Sequence, residues 1–159
     1  MIKCTFRLNG REMSTLSCPG IGFFPAYSGS AGSTRNNPDD MAIPDIGPLP
    51  TGRYYIVNRP VGGRLGGVRD YVSSVLSGSD RSVWFGLFKD DGSIDDYTFI
   101  GEVERGHFRL HPAGYDGTSE GCITFPSRSD YAVLHTALLQ TATMRITPTL
   151  IAFGTVQVY

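Results

Sequence analysis

Two residues suited to nucleophilic chemistry, His111 and Cys122, lie on either side of a glycine-rich loop that ends in Ser119-Glu120-Gly121-Cys122. A free thiol is mostly protonated near neutral pH, and a nearby imidazole can draw it toward the reactive thiolate. The loop is short enough for the two side chains to meet over a substrate. These residue types and their spacing therefore predict a cysteine-dependent enzyme, with Cys122 as the nucleophile and His111 as the base.

Three neighbouring residues are candidates for supporting roles. Gly121 lets the backbone come close to a substrate, and the amide of Cys122 is suited to stabilising an oxyanion. Ser119 has two interpretations: its hydroxyl orients the imidazole or touches the substrate, or it holds the loop through a local backbone bond. Arg128 either binds a substrate carboxylate through its forked donors or is a solvated surface arginine.

The other two histidines, His107 and His135, are not favoured as catalysts. On one continuous strand His107 and His111 would share a face but lie four residues apart, roughly 13 Å at about 3.3 Å per residue. Because that separation is too large for both to bind one metal ion with Cys122, we expect no metal site and no other cofactor. His135 is interpreted as a helix-face residue.

Composition points to a single domain of 159 residues with many turns and short strands. The chain contains 20 glycines and 10 prolines, and only 18% of its residues are charged. Its net charge of -1 argues against a nucleic-acid partner. No apolar run has membrane-spanning length, so no membrane insertion is expected. The first residues lack the apolar stretch of a secretory signal, which predicts export by another route.

Alternation and turn signals predict a mainly β fold with one or two short helices. The predicted strands are Lys3–Leu8, Glu12–Ser17, Phe23–Tyr27, Arg53–Asn58, Ser82–Lys89, Ile94–Gly101, Gly106–Leu110, Met144–Ile146 and Leu150–Tyr159. Residues 30–50 are expected to form a long irregular loop, and the turn at residues 90–93 is typical of a hairpin. One helix is predicted over Val68–Leu76. A second begins near Ser127 or Ser129 and buries Tyr131, Leu134 and Leu138.

The chain has three cysteines, so at least one thiol must stay free of an internal disulfide. Cys4 and Cys18 flank Asn9-Gly10, a hairpin turn signal. A two-residue turn there would set Cys4 opposite Thr15, and only a longer loop would bring the two cysteines together. The sequence favours two structural cysteines near the N-terminus and leaves their redox state open.

His111 followed by Ser119-Glu-Gly-Cys122-Ile123 resembles the signature of the L,D-transpeptidase catalytic domain, in which a histidine precedes a Ser-His-Gly-Cys sequence. The similarity extends to Phe24-Pro-Ala-Tyr-Ser-Gly29, to Gly47-Pro-Leu-Pro-Thr-Gly52 with the strand after it, and to Gly154-Thr-Val-Gln-Val158. It covers about residues 23–158. Two positions depart from the family pattern, since Glu120 replaces the second histidine and Thr124 stands where an arginine is common.

This compact Ser-Glu-Gly-Cys form is similar to the L,D-transpeptidase-like toxins delivered by bacterial type VI secretion. The resemblance implies an L,D-transpeptidase-like β-sandwich or barrel over residues 1–159, with residues 1–20 as an N-terminal hairpin. It implies an L,D-carboxypeptidase that removes terminal D-alanine from peptidoglycan tetrapeptide stems or exchanges D-amino acids there. Tyr27, Ser28, Gly29 and Glu120 are the implied substrate contacts.

The same resemblance implies synthesis in the bacterial cytoplasm and action in the periplasm of a target cell. The implied partners are peptidoglycan stem peptides, a component of the secretion apparatus and a cognate immunity protein. Two alternatives remain open at this point. One is a peptidoglycan amidase or endopeptidase that uses His135 as its base. The other is a wall-binding or secretion module with an unreactive Cys122.

Overall fold

The computed structural model describes residues 1–60, 81–114 and 119–159. In this part of the chain the fold is mainly β, as the sequence predicts. The strands are β1 Ile2–Phe6, β2 Ser14–Cys18, β3 Gly22–Ala26, β4 Gly52–Asn58, β5 Phe85–Lys89, β6 Tyr97–Ile100, β7 Val103–Gly106, β8 Arg109–Pro112, β9 Ile123–Phe125, β10 Met144–Thr147 and β11 Leu150–Val158. The α-helix α1 is Arg128–Gln140, and short 3-10 turns cover Pro38–Asp40 and Arg81–Val83. The helix predicted over Val68–Leu76 lies outside the described residues.

One large sheet curls into a nearly closed barrel. Its strand order is β3-β2-β1-β11-β4-β5-β8-β9, with β10 also paired to β11. The two ends of this order meet where the Tyr27 amide donates to the Thr124 carbonyl at 3.0 Å and the Thr124 amide donates back at 2.8 Å. Thr124 is two residues after Cys122, so the barrel closes beside the candidate nucleophile.

The helix predicted near Ser127 is confirmed as α1. The Ser127 side chain accepts a hydrogen bond from the Asp130 amide and so caps the first turn. Tyr131, Leu134 and Leu138 are buried, as their spacing indicates, and join the barrel core. No helix in the described ranges is long and apolar enough to span a membrane.

The hairpin predicted around residues 90–93 is wrong. β5 pairs with β4 on one side and β8 on the other, while β6 pairs with β7 in a separate two-stranded sheet. The first four residues of β5 are all buried, which is typical of an interior strand with neighbours on both sides. A turn sequence predicts where the chain reverses but does not choose the partner of the strand before it.

The continuous strand predicted over Gly106–Leu110 is also wrong. His107 has a φ of 57°, and the chain breaks there between β7 and β8. The alternation argument that placed His107 and His111 on one face therefore does not apply. His111 lies on β8, whereas His107 lies in the break before it, and the exposed ring of His107 lies near Asp96 and Tyr97.

The N-terminal hairpin is present with a longer connection than the two-residue turn. Asn9 organises that connection, because its side-chain amide donates to the Met13 carbonyl and its oxygen accepts from the Arg11 amide. The strands pair with Thr5 opposite Ser17 and Phe6 opposite Leu16. The register with Cys4 opposite Thr15 is therefore wrong.

Candidate active site

Cys122 lies in the turn immediately before β9. In the parallel pairing of β8 and β9, Leu110 is opposite Ile123, so Cys122 lies beside Arg109. Only 8% of Cys122 is exposed, and its Sγ lies 4.0 Å from the His107 carbonyl oxygen. The thiol therefore lies next to the segment that joins β7 to β8, in a largely enclosed position.

Enclosure keeps the Cys122 thiol protonated at rest. Burial raises its pKa to about 11, against the effects of a backbone hydrogen bond from Arg109 and the positive charge of that side chain. The Glu120 carboxylate raises it further. The thiol is therefore mainly protonated near neutral pH, and a base would be needed to convert it to a nucleophile.

His111, on β8, has both ring nitrogens engaged. Nδ1 lies 2.8 Å from the Pro112 carbonyl oxygen, and Nε2 lies 3.3 Å from the Thr124 hydroxyl. Because a carbonyl only accepts, Nδ1 carries the proton and Nε2 of the neutral ring accepts from Thr124. Burial lowers the pKa of His111 to about 4, partly offset by the Pro112 bond, and the charge of Arg81 lowers it further. The site therefore contains a neutral imidazole whose basic nitrogen is Nε2.

An aromatic ring covers the imidazole. The indole of Trp84 stacks on His111 with ring centroids 4.2 Å apart and planes inclined by 21°. The guanidinium of Arg81 in turn lies 5.1 Å from the centroid of the Trp84 ring. Stacking and the two hydrogen bonds together hold the imidazole in one orientation.

His111 lies on β8, and Cys122 lies in the turn just before the neighbouring strand β9. His111 pairs in register with Thr124, and Cys122 is two residues earlier, roughly 6.6 Å along the chain at about 3.3 Å per residue. In the described part of the chain no hydrogen bond joins the thiol to the imidazole; each has the other partners given above. The structure therefore brings the two predicted residues to the same site, with the imidazole turned toward Thr124.

Ser119 and the Tyr27–Gly29 segment join the site through backbone bonds. The Gly29 amide donates to the Ser119 hydroxyl at 3.3 Å, and that hydroxyl donates to the Cys122 carbonyl at 3.1 Å. The Ser28 hydroxyl accepts from the Leu49 amide at 2.7 Å. The two bonds of the Ser119 hydroxyl correspond to its loop-holding interpretation, and neither of them reaches the imidazole. Their roles toward a substrate stay predictions.

The remaining predicted residues lie at different distances from the thiol. Glu120 is exposed and lines a cavity of about 170 Å³ together with Glu104, Arg105 and His107. Arg128 is the exposed first residue of α1, separated from Cys122 by the whole of β9. The imidazole of His135 packs near the rings of Phe85 and Tyr131, with centroid distances of 5.5 and 6.0 Å.

Two buried arginines support the thiol-bearing turn and were missed by the sequence analysis. Arg105, 3% exposed, donates to the backbone carbonyls of Met41, Gly47 and Pro48 and so ties the long loop to the site. Arg109 forms a two-pronged ion pair with Asp96 at 2.6 and 2.8 Å. Nothing in the spacing of either arginine marks it as buried.

Two contacts of His111 were missed as well, and each had a sequence signal. Thr124 is two residues after Cys122, and in an extended chain that spacing places both side chains on one face, but the sequence analysis predicts no strand there. Trp84 is the single tryptophan of the chain and precedes a run of apolar residues. Neither signal identified the partner of the ring, because both contacts join segments that are separate in sequence.

Replacing Gly121 with alanine is expected to lower the free energy of unfolding by about 2–4 kcal/mol, measured by urea denaturation. Gly121 has a φ of +89°, and a Cβ there would lie 2.5 Å from Nη2 of Arg105. That guanidinium cannot move away without losing its carbonyl partners.

Gly92→Ala is the matched control for this substitution. Gly92 has a φ of +98°, but nothing lies within 4 Å of its added Cβ. Its expected loss is about 1–2 kcal/mol, the backbone cost alone. Equal losses in the two variants would show that the contact with Arg105 is unimportant.

Comparison with known proteins identifies one protein family. A family model described as the Tlde1 domain matches residues 22–149. This range contains His111, Cys122, Ser119 and the Tyr27–Gly29 segment. No curated protein and no solved structure matches the chain.

Proposed function

Because the chain belongs to the Tlde1 domain family of type VI secretion effectors that act on peptidoglycan, we propose that it is an L,D-carboxypeptidase with a cysteine nucleophile. It removes terminal D-alanine from tetrapeptide stems, and it exchanges that residue when another D-amino acid is available. The observation that carries the proposal is the neutral imidazole of His111, whose basic Nε2 lies on the strand next to the Cys122 turn. A neutral imidazole beside a protonated thiol is the starting state for general-base activation.

The first step transfers the Cys122 proton to Nε2 of His111. Thr124 releases Nε2 as the thiol turns toward the ring, and Nδ1 keeps its bond to the Pro112 carbonyl. The thiolate then attacks the carbonyl carbon of the third stem residue, meso-diaminopimelate. The backbone amides of Gly121 and Cys122 are our candidates for stabilising the oxyanion.

The second step releases D-alanine, and the resulting thioester then reacts in one of two ways. The imidazolium returns its proton to the amine of the departing D-alanine, which leaves a thioester on Cys122. Water resolves the thioester to a tripeptide, or the amine of a free D-amino acid resolves it to an exchanged stem. The charges of Arg105 and Arg109 near the turn lower the free-energy cost of forming the transient thiolate and so partly offset the effect of burial.

Substrate contacts are proposed for residues around the thiol. The exposed Glu120 carboxylate and the nearby Glu104 face the cavity beside the turn and suit the free amino group of a diaminopimelate stem. The Tyr27–Gly29 segment borders the turn through Ser119. Arg128 would receive a carboxylate only from a substrate that extends past β9.

The family also supports proposals about delivery. We propose that the protein is made in a bacterial cytoplasm, is carried by the type VI apparatus and acts in the periplasm of the target cell. A component of the apparatus and a cognate immunity protein would then be its protein partners.

The proposal is tested by incubating purified tetrapeptide muropeptides with the protein and reading the products by mass spectrometry. We expect loss of D-alanine, and replacement of D-alanine by D-methionine when D-methionine is supplied. The matched control is Cys122→Ser protein under the same conditions. Release of whole stems from the glycan would instead identify an amidase, and unchanged tetrapeptide with well-folded protein would support a non-catalytic module.

A further inference from the structure

The two cysteines outside the site face each other across the N-terminal hairpin. β1 and β2 pair with Thr5 opposite Ser17 and Phe6 opposite Leu16. One step further along the same ladder places Cys4 opposite Cys18, and both residues lie within the strand bounds. Both thiols are free, at 2% and 0% exposure, and both point into the core.

Geometry makes this pair suitable for a covalent link. Directly opposed residues of an antiparallel pair have Cα atoms about 4.5–5.5 Å apart. Disulfides span Cα separations of about 4.4–6.8 Å. A side-chain hydrogen bond with Cys18, followed by burial, raises the pKa of Cys4 well above its ordinary value. The two thiols are therefore neighbours in the folded protein, and the raised pKa keeps the Cys4 thiol protonated.

We propose that Cys4 and Cys18 form a cross-strand disulfide when the protein moves from a reducing to an oxidising compartment, and that this bond locks the N-terminal hairpin. The inference rests on the proposed route of delivery for its timing, but not on the catalytic assignment. Cytoplasmic thiols are kept reduced, whereas the bacterial periplasm is oxidising. The hairpin thus has a reduced form before delivery and a covalently closed form after it.

The bond forms by thiol–disulfide exchange with a disulfide oxidant, either an oxidised dithiol protein or oxidised glutathione. One cysteine loses its proton, and its thiolate attacks the oxidant, displacing one glutathione thiolate and forming a mixed disulfide. The second cysteine, as a thiolate, attacks the protein sulfur of that mixed disulfide and displaces the second glutathione. Two protein thiols are oxidised to one disulfide and one glutathione disulfide is reduced to two thiols, so electrons and protons balance.

Burial determines when this exchange occurs. The oxidant cannot reach thiols that are almost fully enclosed, so reaction requires an unfolded chain or an opened hairpin. β2 is one strand from the β3 end of the sheet order, and the hairpin is local in sequence. We therefore expect rapid oxidation during refolding and slow oxidation of the folded protein.

The closed form should be measurably more stable. The bond closes a loop of about 15 residues. Closing a loop of this length lowers the conformational entropy of the unfolded chain and so stabilises the folded protein. For a domain of this size the corresponding rise in Tm is roughly 5–10 °C.

The test uses full-length Cys122→Ser protein, which retains only the two hairpin thiols. The protein is refolded from urea in parallel with oxidised glutathione and with dithiothreitol. With oxidised glutathione we expect a mass about 2 Da lower, loss of both maleimide-reactive thiols and a peptide joining Cys4 to Cys18. We also expect the higher Tm, and dithiothreitol should reverse every change.

The control variant carries Cys4→Ala and Cys18→Ala in addition to Cys122→Ser. Its Tm should be the same in both buffers, and any general loss of stability cancels because each protein is compared with itself. Two free thiols or a lasting glutathione adduct after oxidative refolding would overturn the proposal, as would a bond that leaves Tm unchanged. Since the nucleophile is absent from all samples, such a failure is separate from failure of the proposed carboxypeptidase activity.

Discussion

Cys122→Ser protein is expected to release D-alanine from tetrapeptides at least about 10⁴-fold more slowly than the wild type. A serine hydroxyl is far less acidic than a thiol, so transfer of its proton to the His111 imidazole is much less favourable. The measurement is the initial rate of D-alanine release, with circular dichroism to verify folding. Cys4→Ala is the matched control, because it removes a buried thiol away from the site and should keep the wild-type rate. Comparable rates in Cys122→Ser and the wild type would exclude Cys122 as the nucleophile.

Alkylation by iodoacetamide reports on the same thiol without a substrate. Because burial raises the pKa of Cys122 to about 11, only a small fraction is thiolate at pH 7. The alkylation rate should therefore rise about tenfold per pH unit between about pH 7 and pH 10. The signal from the two other cysteines is measured in Cys122→Ser protein and subtracted. A rate that reaches its plateau below pH 8 would indicate a preformed thiolate and contradict the general-base step.

The second large effect is expected at His111. His111→Gln should lower the turnover number by about 10²–10⁴-fold, the usual contribution of a positioned general base. Glutamine retains polar atoms near Pro112 and Thr124 but cannot accept and return a proton. His135→Gln is the matched control and should keep the wild-type rate, because its ring packs near Phe85 and Tyr131. The reverse pattern, with only His135→Gln inactive, would support the amidase alternative.

The pH dependence of stability tests the protonation state of the same histidine. The pKa of His111 is lowered from 6.5 to about 4 in the folded protein. Its contribution to stability is therefore fully present above about pH 6.5 and is lost as the pH falls toward 4, by about 3 kcal/mol in all. In urea titrations the wild type should lose that much more stability than His111→Gln across this range. Parallel losses in the two proteins would mean that the folded protein tolerates a charged imidazole.

In the resting structure the Cys122 thiol and the His111 imidazole are not arranged to transfer a proton to each other. The thiol is protonated and enclosed, while Nε2 of the imidazole accepts from Thr124 beneath the Trp84 ring. In the proposed mechanism both groups exchange their present partners for each other at the start of the reaction. An effector that waits in its producing cell benefits from this arrangement, because a neutral buried thiol is slow to oxidise or react.

Local patterns were sufficient for much of the fold and for the choice of the candidate site residues. Alternating residues identified the strands β1 to β4 and β11 within a few positions. Ser127 and the spacing of Tyr131, Leu134 and Leu138 identified α1, because caps and helical faces depend on residues a few positions apart. The same local reading selected His111 and Cys122, since one short loop joins them.

Only the tertiary structure decided which strands pair and which side chains meet. The turn after β5 did not pair it with β6, and the break at His107 divided a predicted strand. The contact of Thr124 with His111 depends on the parallel pairing of β8 with β9, and burial of Arg105 depends on a loop about sixty residues earlier in the chain. Strand alternation defines faces but not partners, because pairing is set by packing between distant segments. The sequence by itself therefore selected the imidazole and the thiol as candidates, and the pairing of β8 with β9 decided that the imidazole is hydrogen-bonded to Thr124 and not to the thiol.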